Sequence, residues 1–175
     1  MDVKAVILVG GETDSHGLTS AMAYCGDERC FEKVVKELPE SISDVILVAN
    51  PEQKDVDSLG YSVVFDSEVG GGPLVSILSV LNTLESGRVL VLAGDDTSLK
   101  YDHIERMLDY SDRLPRMTVV ASDGGEIQPM HLILPVRVRS EIESYIQEGG
   151  RSAKEWLLDS IFMECELDGA FQRSS

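Results

Sequence analysis

A run of five apolar residues, Ala5-Val6-Ile7-Leu8-Val9, lies near the start of the chain and ends at Gly10-Gly11. A strand with one face in solvent alternates apolar and polar residues, whereas this run is apolar at every position. It therefore predicts a strand buried on both faces, as in a parallel sheet covered by helices. Because parallel strands need crossover connections, the run favours an α/β fold in which helices alternate with strands.

Similar apolar runs recur along the chain and alternate with helical patterns. The further predicted elements are a helix over 27–38, strands over 44–49 and 61–65, a helix from Pro73, a strand over 89–93, a helix over 102–108, strands over 117–121 and 127–134, helices over 138–147 and 152–160, and a strand over 161–163. The alternation predicts a doubly wound, mostly parallel sheet. The sequence Asp123-Gly124-Gly125 indicates a hairpin turn, and therefore an antiparallel addition late in the chain.

The size and charge of the chain limit its organisation and its partners. Its 175 residues predict a single domain over 1–167 and a loose tail over 168–175. The formal net charge is −16, from 31 acidic and 15 basic residues. Such a charge opposes binding to nucleic acid or to an acidic membrane surface. A phosphate ligand would need backbone N–H groups or a divalent cation to offset it.

The segment that precedes the first strand lacks the apolar core of a signal peptide, and no run approaches the length of a membrane span. These features predict a cytoplasmic protein, which we expect to be a monomer or a weak homo-oligomer. The three cysteines, Cys25, Cys30 and Cys165, are odd in number and have no paired spacing. They predict thiols rather than a disulfide framework.

Polar side chains follow the predicted parallel strands at the point where each strand ends. Asn50 follows the second strand, Asp66 follows the third, and Asp95 with Asp96 follows the fourth. In doubly wound sheets, ligands bind outside the carboxyl ends of the strands. A carboxylate there can hold Mg²⁺ against phosphate oxygens. Each aspartate taken alone also fits a helix N-cap.

Several longer motifs stand in a defined order along the chain. They are Leu8-Val9-Gly10-Gly11-Glu12-Thr13-Asp14-Ser15-His16-Gly17, Val48-Ala49-Asn50, Asp66, Gly72-Pro73-Leu74, Leu92-Ala93-Gly94-Asp95, Asp123-Gly124-Gly125-Glu126-Ile127-Gln128-Pro129-Met130-His131, Gly150-Arg151-Ser152 and Trp156-Leu157. In this order they resemble the molybdenum cofactor guanylyltransferase family, within the wider nucleotidyltransferase fold. The resemblance extends from about Val3 to about Leu158.

The resemblance implies a transferase that moves GMP from GTP to the phosphate of molybdopterin and releases pyrophosphate, with Mg²⁺ as its cofactor. It implies nucleotide-binding roles for Leu8, Gly10, Gly11, Asn50, Asp66, Gly72 and Asp95. Asp95 is also the implied catalytic residue and metal ligand. The implied acceptor-binding residues are Gln128, Pro129, Arg151 and Ser152.

The first motif departs from the family signature L-A-G-G-x-S-x-R-M-G-x-D-K. His16 replaces its Met, Thr19 and Ser20 stand in place of its Asp and Lys, and its Arg is also missing. The phosphate loop thus lacks both cations, and it carries Glu12 and Asp14 instead. Three hypotheses stay open. The first is an active transferase of this family, and the second is a catalytically impaired paralogue that acts as a nucleotide-binding, cofactor-binding or regulatory protein. The third is a transferase that uses another nucleotide or another phosphorylated acceptor.

Overall fold

The computed structural model describes residues 2–68 and 70–171. Within them, seven of nine strands form one sheet with helices on both faces, and the other two pair in a small separate sheet. The strands are β1 (Val3–Leu8), β2 (Tyr24–Cys25), β3 (Glu28–Arg29), β4 (Ile42–Ala49), β5 (Ser62–Phe65), β6 (Arg88–Ala93), β7 (Thr118–Asp123), β8 (Glu126–Pro135) and β9 (Phe162–Glu166). The helices are α1 (Cys30–Lys36), α2 (Pro73–Leu81), α3 (Tyr101–Arg113), α4 (Arg139–Gln147) and α5 (Ala153–Leu158), with 3₁₀ turns over Lys54–Leu59 and Val136–Val138. The strand order is β5-β4-β1-β6-β8-β7-β9. The predicted doubly wound, mostly parallel α/β fold is confirmed.

The first half of the sheet is parallel, and its strands end at a common edge. In the register of the sheet, Leu8 pairs with Val48 of β4 and with Ala93 of β6. Ala49 pairs in turn with Phe65 of β5. The residues that follow these four strands are consequently brought together along one edge.

Two apolar cores cover the two faces of the sheet. Alternate residues of β1 belong to different cores, with Ala5 and Ile7 on the side of α1 and α3. Val6 lies on the side of α2, α4 and α5. This three-layer arrangement explains the continuous apolar run, because both faces of the strand are buried.

The second half of the sheet contains the predicted antiparallel hairpin. Strand β8 runs antiparallel to both β6 and β7, whereas β7 and β9 are parallel. The hairpin therefore extends the sheet beyond β6. It also brings the sequence around Gln128 next to the carboxyl end of β6, where Asp95 lies.

The prediction was wrong for the residues before α1. The expected helix over 27–38 is shorter, because β2 and β3 form a small antiparallel hairpin ahead of it. The predicted thiols are also wrong for Cys25 and Cys30, which are joined by a disulfide. The turn of the hairpin brings their Cα atoms to 5.1 Å, within the usual range for such a bond. Cys165 is a free, buried thiol as predicted, and burial raises its pKa.

The division into a domain over 1–167 and a tail over 168–175 stays a prediction. Within the described part of that tail, the backbone N–H groups of Gly169 and Phe171 donate to the Asp123 carboxylate at 2.9 and 3.0 Å. Residues 172–175 lie outside the described residues. In the described ranges, no helix combines the length and the apolar composition that a membrane span requires.

Gly94 lies where β6 meets the loop that carries Asp95. Its N–H donates to the Leu8 carbonyl oxygen at 2.9 Å. A Cβ at this position would lie 2.6 Å from the same oxygen and 2.9 Å from the Cβ of Ala21. A side chain here would force the backbone apart, so Gly94 allows the loop to approach the end of β1 closely.

We predict that Gly94→Ala lowers the free energy of unfolding by about 1–3 kcal/mol, because the added methyl group meets backbone. Urea denaturation measures the change. The matched control is Gly71→Ala, where the nearest atom is Oε1 of Glu68, 2.7 Å away on a flexible side chain that can move. An equal loss in the two variants would contradict the close approach at Gly94.

Candidate functional site

The larger of two adjoining cavities lies at the carboxyl ends of β5, β4, β1 and β6 and has a volume of about 910 Å³. All of the residues predicted to bind a nucleotide line it, namely Leu8, Gly10, Gly11, Asn50, Asp66, Gly72 and Asp95. They come from separate parts of the chain and meet because the parallel strands share one register. The geometry thus brings the predicted set together, while the role of each residue stays a prediction.

A second cavity of about 590 Å³ adjoins the first. The two cavities share Ala93, Asp95 and Met130, so Asp95 lies at their junction. Gln128 and Pro129, two of the predicted acceptor residues, line the second cavity.

The other two predicted acceptor residues, Arg151 and Ser152, are absent from the described lining of both cavities. The Arg151 guanidinium lies 3.8 Å from a carboxylate oxygen of Glu68 and donates to two backbone carbonyls, among them that of Ile146 at 3.0 Å. The Ser152 hydroxyl caps α5. The structure therefore gives both residues local contacts outside the lining of the second cavity, while the Arg151 carbonyl oxygen would lie 3.9 Å from a Cβ on Gly72, which lines the larger cavity. Their acceptor-binding roles stay predictions.

The loop after β1 is folded onto itself by Asp14. One carboxylate oxygen of Asp14 accepts the backbone N–H groups of His16 at 2.8 Å and Leu18 at 3.0 Å. The bond from Leu18 is the largest of the causes that hold the pKa of Asp14 below its usual value. Backbone N–H groups of such a loop are the ordinary donors to phosphate. Here, an internal carboxylate occupies two of them.

A polar network attaches this loop to the residues that follow β4. The Thr19 hydroxyl and the Gln53 amide both donate to the Val9 carbonyl, at 2.6 and 3.0 Å. Gln53 also accepts the backbone N–H of Asn50 at 2.8 Å, and the Asn50 amide donates to the Gly11 carbonyl at 3.2 Å. Asn50 therefore holds the glycine turn in place as well as lining the cavity.

The larger cavity is strongly acidic. Four carboxylates line it, from Glu12, Glu52, Asp66 and Asp95, and the described lining of both cavities contains neither lysine nor arginine. Oxygen donors of this kind suit Mg²⁺, which usually takes one or two protein carboxylates together with phosphate and water oxygens. Among the described residues, no group of three or more His, Cys, Asp or Glu side chains could hold a metal ion.

Asp66 has an unsatisfied acceptor in this cavity. Its Oδ1 atom is buried and has no hydrogen-bond partner among the described residues. Burial raises the pKa of the Asp66 carboxyl, and the Ser76 hydroxyl opposes that shift only in part. A buried acceptor without a partner is costly unless a ligand supplies the donor. Asp66 is therefore suited to accept a hydrogen bond from a ligand N–H group.

Asp96, next to Asp95, contacts a histidine from the other half of the sheet. Its Oδ2 lies 3.2 Å from Nε2 of His131, and its Oδ1 accepts the Ser98 backbone N–H at 2.9 Å. An ionised carboxylate only accepts hydrogen bonds, so Nε2 is the donor. This bond from His131 is the first of the causes that hold the pKa of Asp96 far below its usual range.

Sequence reasoning missed this contact. From the sequence, His131 was named only as the last residue of the motif on β8, and Asp96 only together with Asp95. Neither was predicted to contact the other. The available signal was a histidine just before a run of apolar strand residues, where a buried imidazole needs a polar partner. Phe171, within the predicted tail, also lines the second cavity. No feature of the sequence indicated that it would.

Comparisons with known proteins identify the family and the fold of the chain. The family described as the MobA-like NTP transferase domain matches residues 5–161. The chain therefore belongs to the MobA-like NTP transferase family, and it has the α/β nucleotidyltransferase fold.

One curated protein and two solved structures illustrate how similar the chain is to known proteins. The molybdenum cofactor guanylyltransferase of Shewanella sediminis is 26% identical over 162 residues, which cover 89% of this chain and 81% of that protein. The solved structure of molybdopterin-guanine dinucleotide biosynthesis protein A from Archaeoglobus fulgidus has a TM-score of 0.76 at 17% identity, covering 93% of this chain and 83% of its own. A protein from Mycobacterium tuberculosis solved with manganese has a TM-score of 0.69 at 13% identity, covering 97% of this chain and 90% of its own.

We predict that the amide protons of His16 and Leu18 titrate together, with a midpoint below 3.8, the ordinary pKa of an aspartate. Because the pKa of Asp14 is depressed in the folded chain, its hydrogen bonds are present above that ordinary value. They are lost as the pH falls through the lowered one. NMR chemical shifts measured against pH test this. Asp14→Asn should remove the titration, and a midpoint at or above 3.8 would contradict the loop geometry.

Proposed function

We propose that the chain is a guanylyltransferase that moves the GMP group of GTP onto the phosphate of molybdopterin and releases pyrophosphate. One observation carries the proposal: the whole predicted nucleotide set lines one cavity, and that cavity meets a second one at Asp95. Membership of the MobA-like NTP transferase family supports the class of reaction.

The proposed reaction exchanges one bond to phosphorus for another. An oxygen of the acceptor phosphate forms a bond to the α-phosphorus of GTP. The bond from that phosphorus to the oxygen between the α- and β-phosphates breaks. Pyrophosphate leaves with the bonding electrons. The protein contributes positioning and charge neutralisation rather than covalent chemistry.

The chain's own groups have separate tasks in this proposal. Gly10 and Gly11 let the backbone approach the phosphates, since neither has a side chain to obstruct them. The buried Oδ1 of Asp66 accepts a hydrogen bond from the guanine N–H edge, which an adenine ring does not offer in the same form. Asp95 would hold Mg²⁺, which when bound would neutralise charge on the reacting phosphates.

The acidic cavity makes a specific demand on binding. Four carboxylates oppose a bare triphosphate, so GTP should bind as its Mg²⁺ complex and only weakly without the metal. GTP with Mg²⁺ at about one hundred times its Kd should stabilise the folded chain by about 2.7 kcal/mol. This corresponds to a rise in Tm of about 5–10 °C for a chain of this length. A thermal denaturation series with GTP, ATP and CTP, with Mg²⁺ or EDTA, measures it; no shift with any of them would overturn the proposal.

We expect Asp95→Asn to leave the fold intact and to lower turnover about a hundredfold or more, because it removes the charge that holds the ion. Pyrophosphate release measures turnover, and circular dichroism checks the fold. Asp109→Asn makes the same change of charge at an exposed position of α3 and should keep full activity. Equal activity of the two variants would remove Asp95 from the proposed chemistry.

Ser20→Lys should restore a cation to the wall of the larger cavity, which Ser20 lines. We expect triphosphate binding to tighten about tenfold, the scale of one added charge-assisted hydrogen bond. Isothermal titration calorimetry measures the Kd. The control Ser58→Lys makes the same change of net charge at an exposed site on the 3₁₀ turn. If both lysines have the same effect, the loop after β1 does not contact the phosphates.

A second candidate is a family member that binds its ligand without catalysis. The acidic wall and the missing cations of the loop favour it, because a lost cation at a developing phosphate charge slows transfer strongly. GTP binding without pyrophosphate release from any acceptor would favour this candidate. Release with a different phosphorylated acceptor, or from a different nucleotide, would instead favour a transferase of altered specificity.

A further inference from the structure

Asp96 connects the loop after β6 to strand β8, and both of these segments line the second cavity. One carboxylate oxygen is bonded within its own loop, to the backbone N–H of Ser98, and the other is bonded to His131 on β8. The loop after β6 is thereby attached to the hairpin of the second cavity. Thr97 and Ser98, which follow Asp96, line that cavity as well.

His131 is the rigid member of this pair. Its side chain is 3% exposed, against 31% for Asp96. The ring of Phe171 packs against the imidazole, with centroids 5.0 Å apart. Nδ1 is buried without a hydrogen-bond partner among the described residues, so Asp96 is the group to which the ring is anchored.

A buried imidazole with one unsatisfied nitrogen is costly for stability. An apolar side chain would fill the same position on β8 without that cost, as Leu132 and Ile133 do beside it. The arrangement is therefore better explained by what the histidine holds than by the stability it contributes. It holds the carboxylate directly beside Asp95.

The loop that carries Asp95 is thus fixed on both sides. Before Asp95, Gly94 donates its N–H to Leu8 and lies in close contact with the end of β1. After Asp95, Asp96 is fixed by His131. Asp95 itself is exposed at the junction of the two cavities.

We propose that His131 is a positioning residue, which acts through Asp96 to orient the Asp95 carboxylate for metal-dependent transfer. This inference rests on the proposed function, because it assumes that Asp95 holds the ion. Partners of this kind, one step removed from a metal ligand, typically contribute ten- to a hundredfold to metal affinity or activity.

The test compares His131→Phe with His131→Gln in the full chain. Phenylalanine removes the hydrogen bond to Asp96, whereas the glutamine side-chain N–H₂ can replace the Nε2 donor. With GTP present, His131→Phe should weaken Mn²⁺ binding about tenfold, measured by electron paramagnetic resonance, and should lower kcat by ten- to a hundredfold. The KM for GTP should change little, and His131→Gln should recover most of both losses.

Two further variants separate positioning from stability. Asp112→Asn weakens a distant ion pair, that of Arg88 with Asp112, and should affect Tm without changing Mn²⁺ affinity. Asp96→Ser removes the bridge at a partly exposed residue and should reproduce the losses of His131→Phe. The double variant Asp96→Ser/His131→Phe should then be no worse than either single variant, since both break the same link. If His131→Phe does not fold, Asp96→Ser decides the question.

Unchanged Mn²⁺ affinity and kcat in a folded His131→Phe or Asp96→Ser variant would overturn the inference. Equal losses in His131→Gln and His131→Phe would also overturn it, because the hydrogen bond would then be irrelevant. If the unaltered chain binds neither GTP nor Mn²⁺, the proposed function fails first and the inference fails with it. That outcome can be told apart from failure of the inference alone, in which the unaltered chain binds GTP and Mn²⁺ and the variants bind Mn²⁺ equally well.

Discussion

The parallel pairing of β1 between β4 and β6 is the constraint on which the site depends. Leu8 lies beside Val48 on one side and Ala93 on the other, so the backbone leaves all three strands at the same level. The glycine turn, Asn50 and Asp95 follow directly from that register. A shift of β6 by one residue would reverse the faces of its side chains and move Asp95 away from the junction of the cavities.

Much of this arrangement was predictable, because it depends on periodicity and on strand order. Continuous apolar strands that alternate with helices require a covered parallel sheet, and such a sheet collects the residues after its strands at one edge. The positions of Gly10, Asn50, Asp66 and Asp95 on one cavity wall follow from those two facts alone. The hairpin at Asp123-Gly124-Gly125 was predictable from local turn chemistry.

The remainder depends on contacts between distant residues that no local pattern encodes. Asp96 and His131 are 35 residues apart and meet only because β8 runs antiparallel beside β6. The disulfide between Cys25 and Cys30 depends on a short hairpin within a stretch whose apolar spacing indicates a helix. Arg151 fits the family motif, yet its contacts with Glu68 and with backbone carbonyls could be known only from the folded chain.

The acidic wall of the larger cavity also has a consequence for the response to salt. In a basic phosphate site, added salt screens the attraction and weakens binding. Here Glu12, Glu52, Asp66 and Asp95 repel an approaching anion, and a chain of net charge −16 adds to that repulsion at long range. Screening at higher ionic strength reduces the repulsion, so the capture of an anionic ligand becomes faster as salt is added. For the free anion, the expected dependence on salt is therefore the opposite of that in a basic phosphate site.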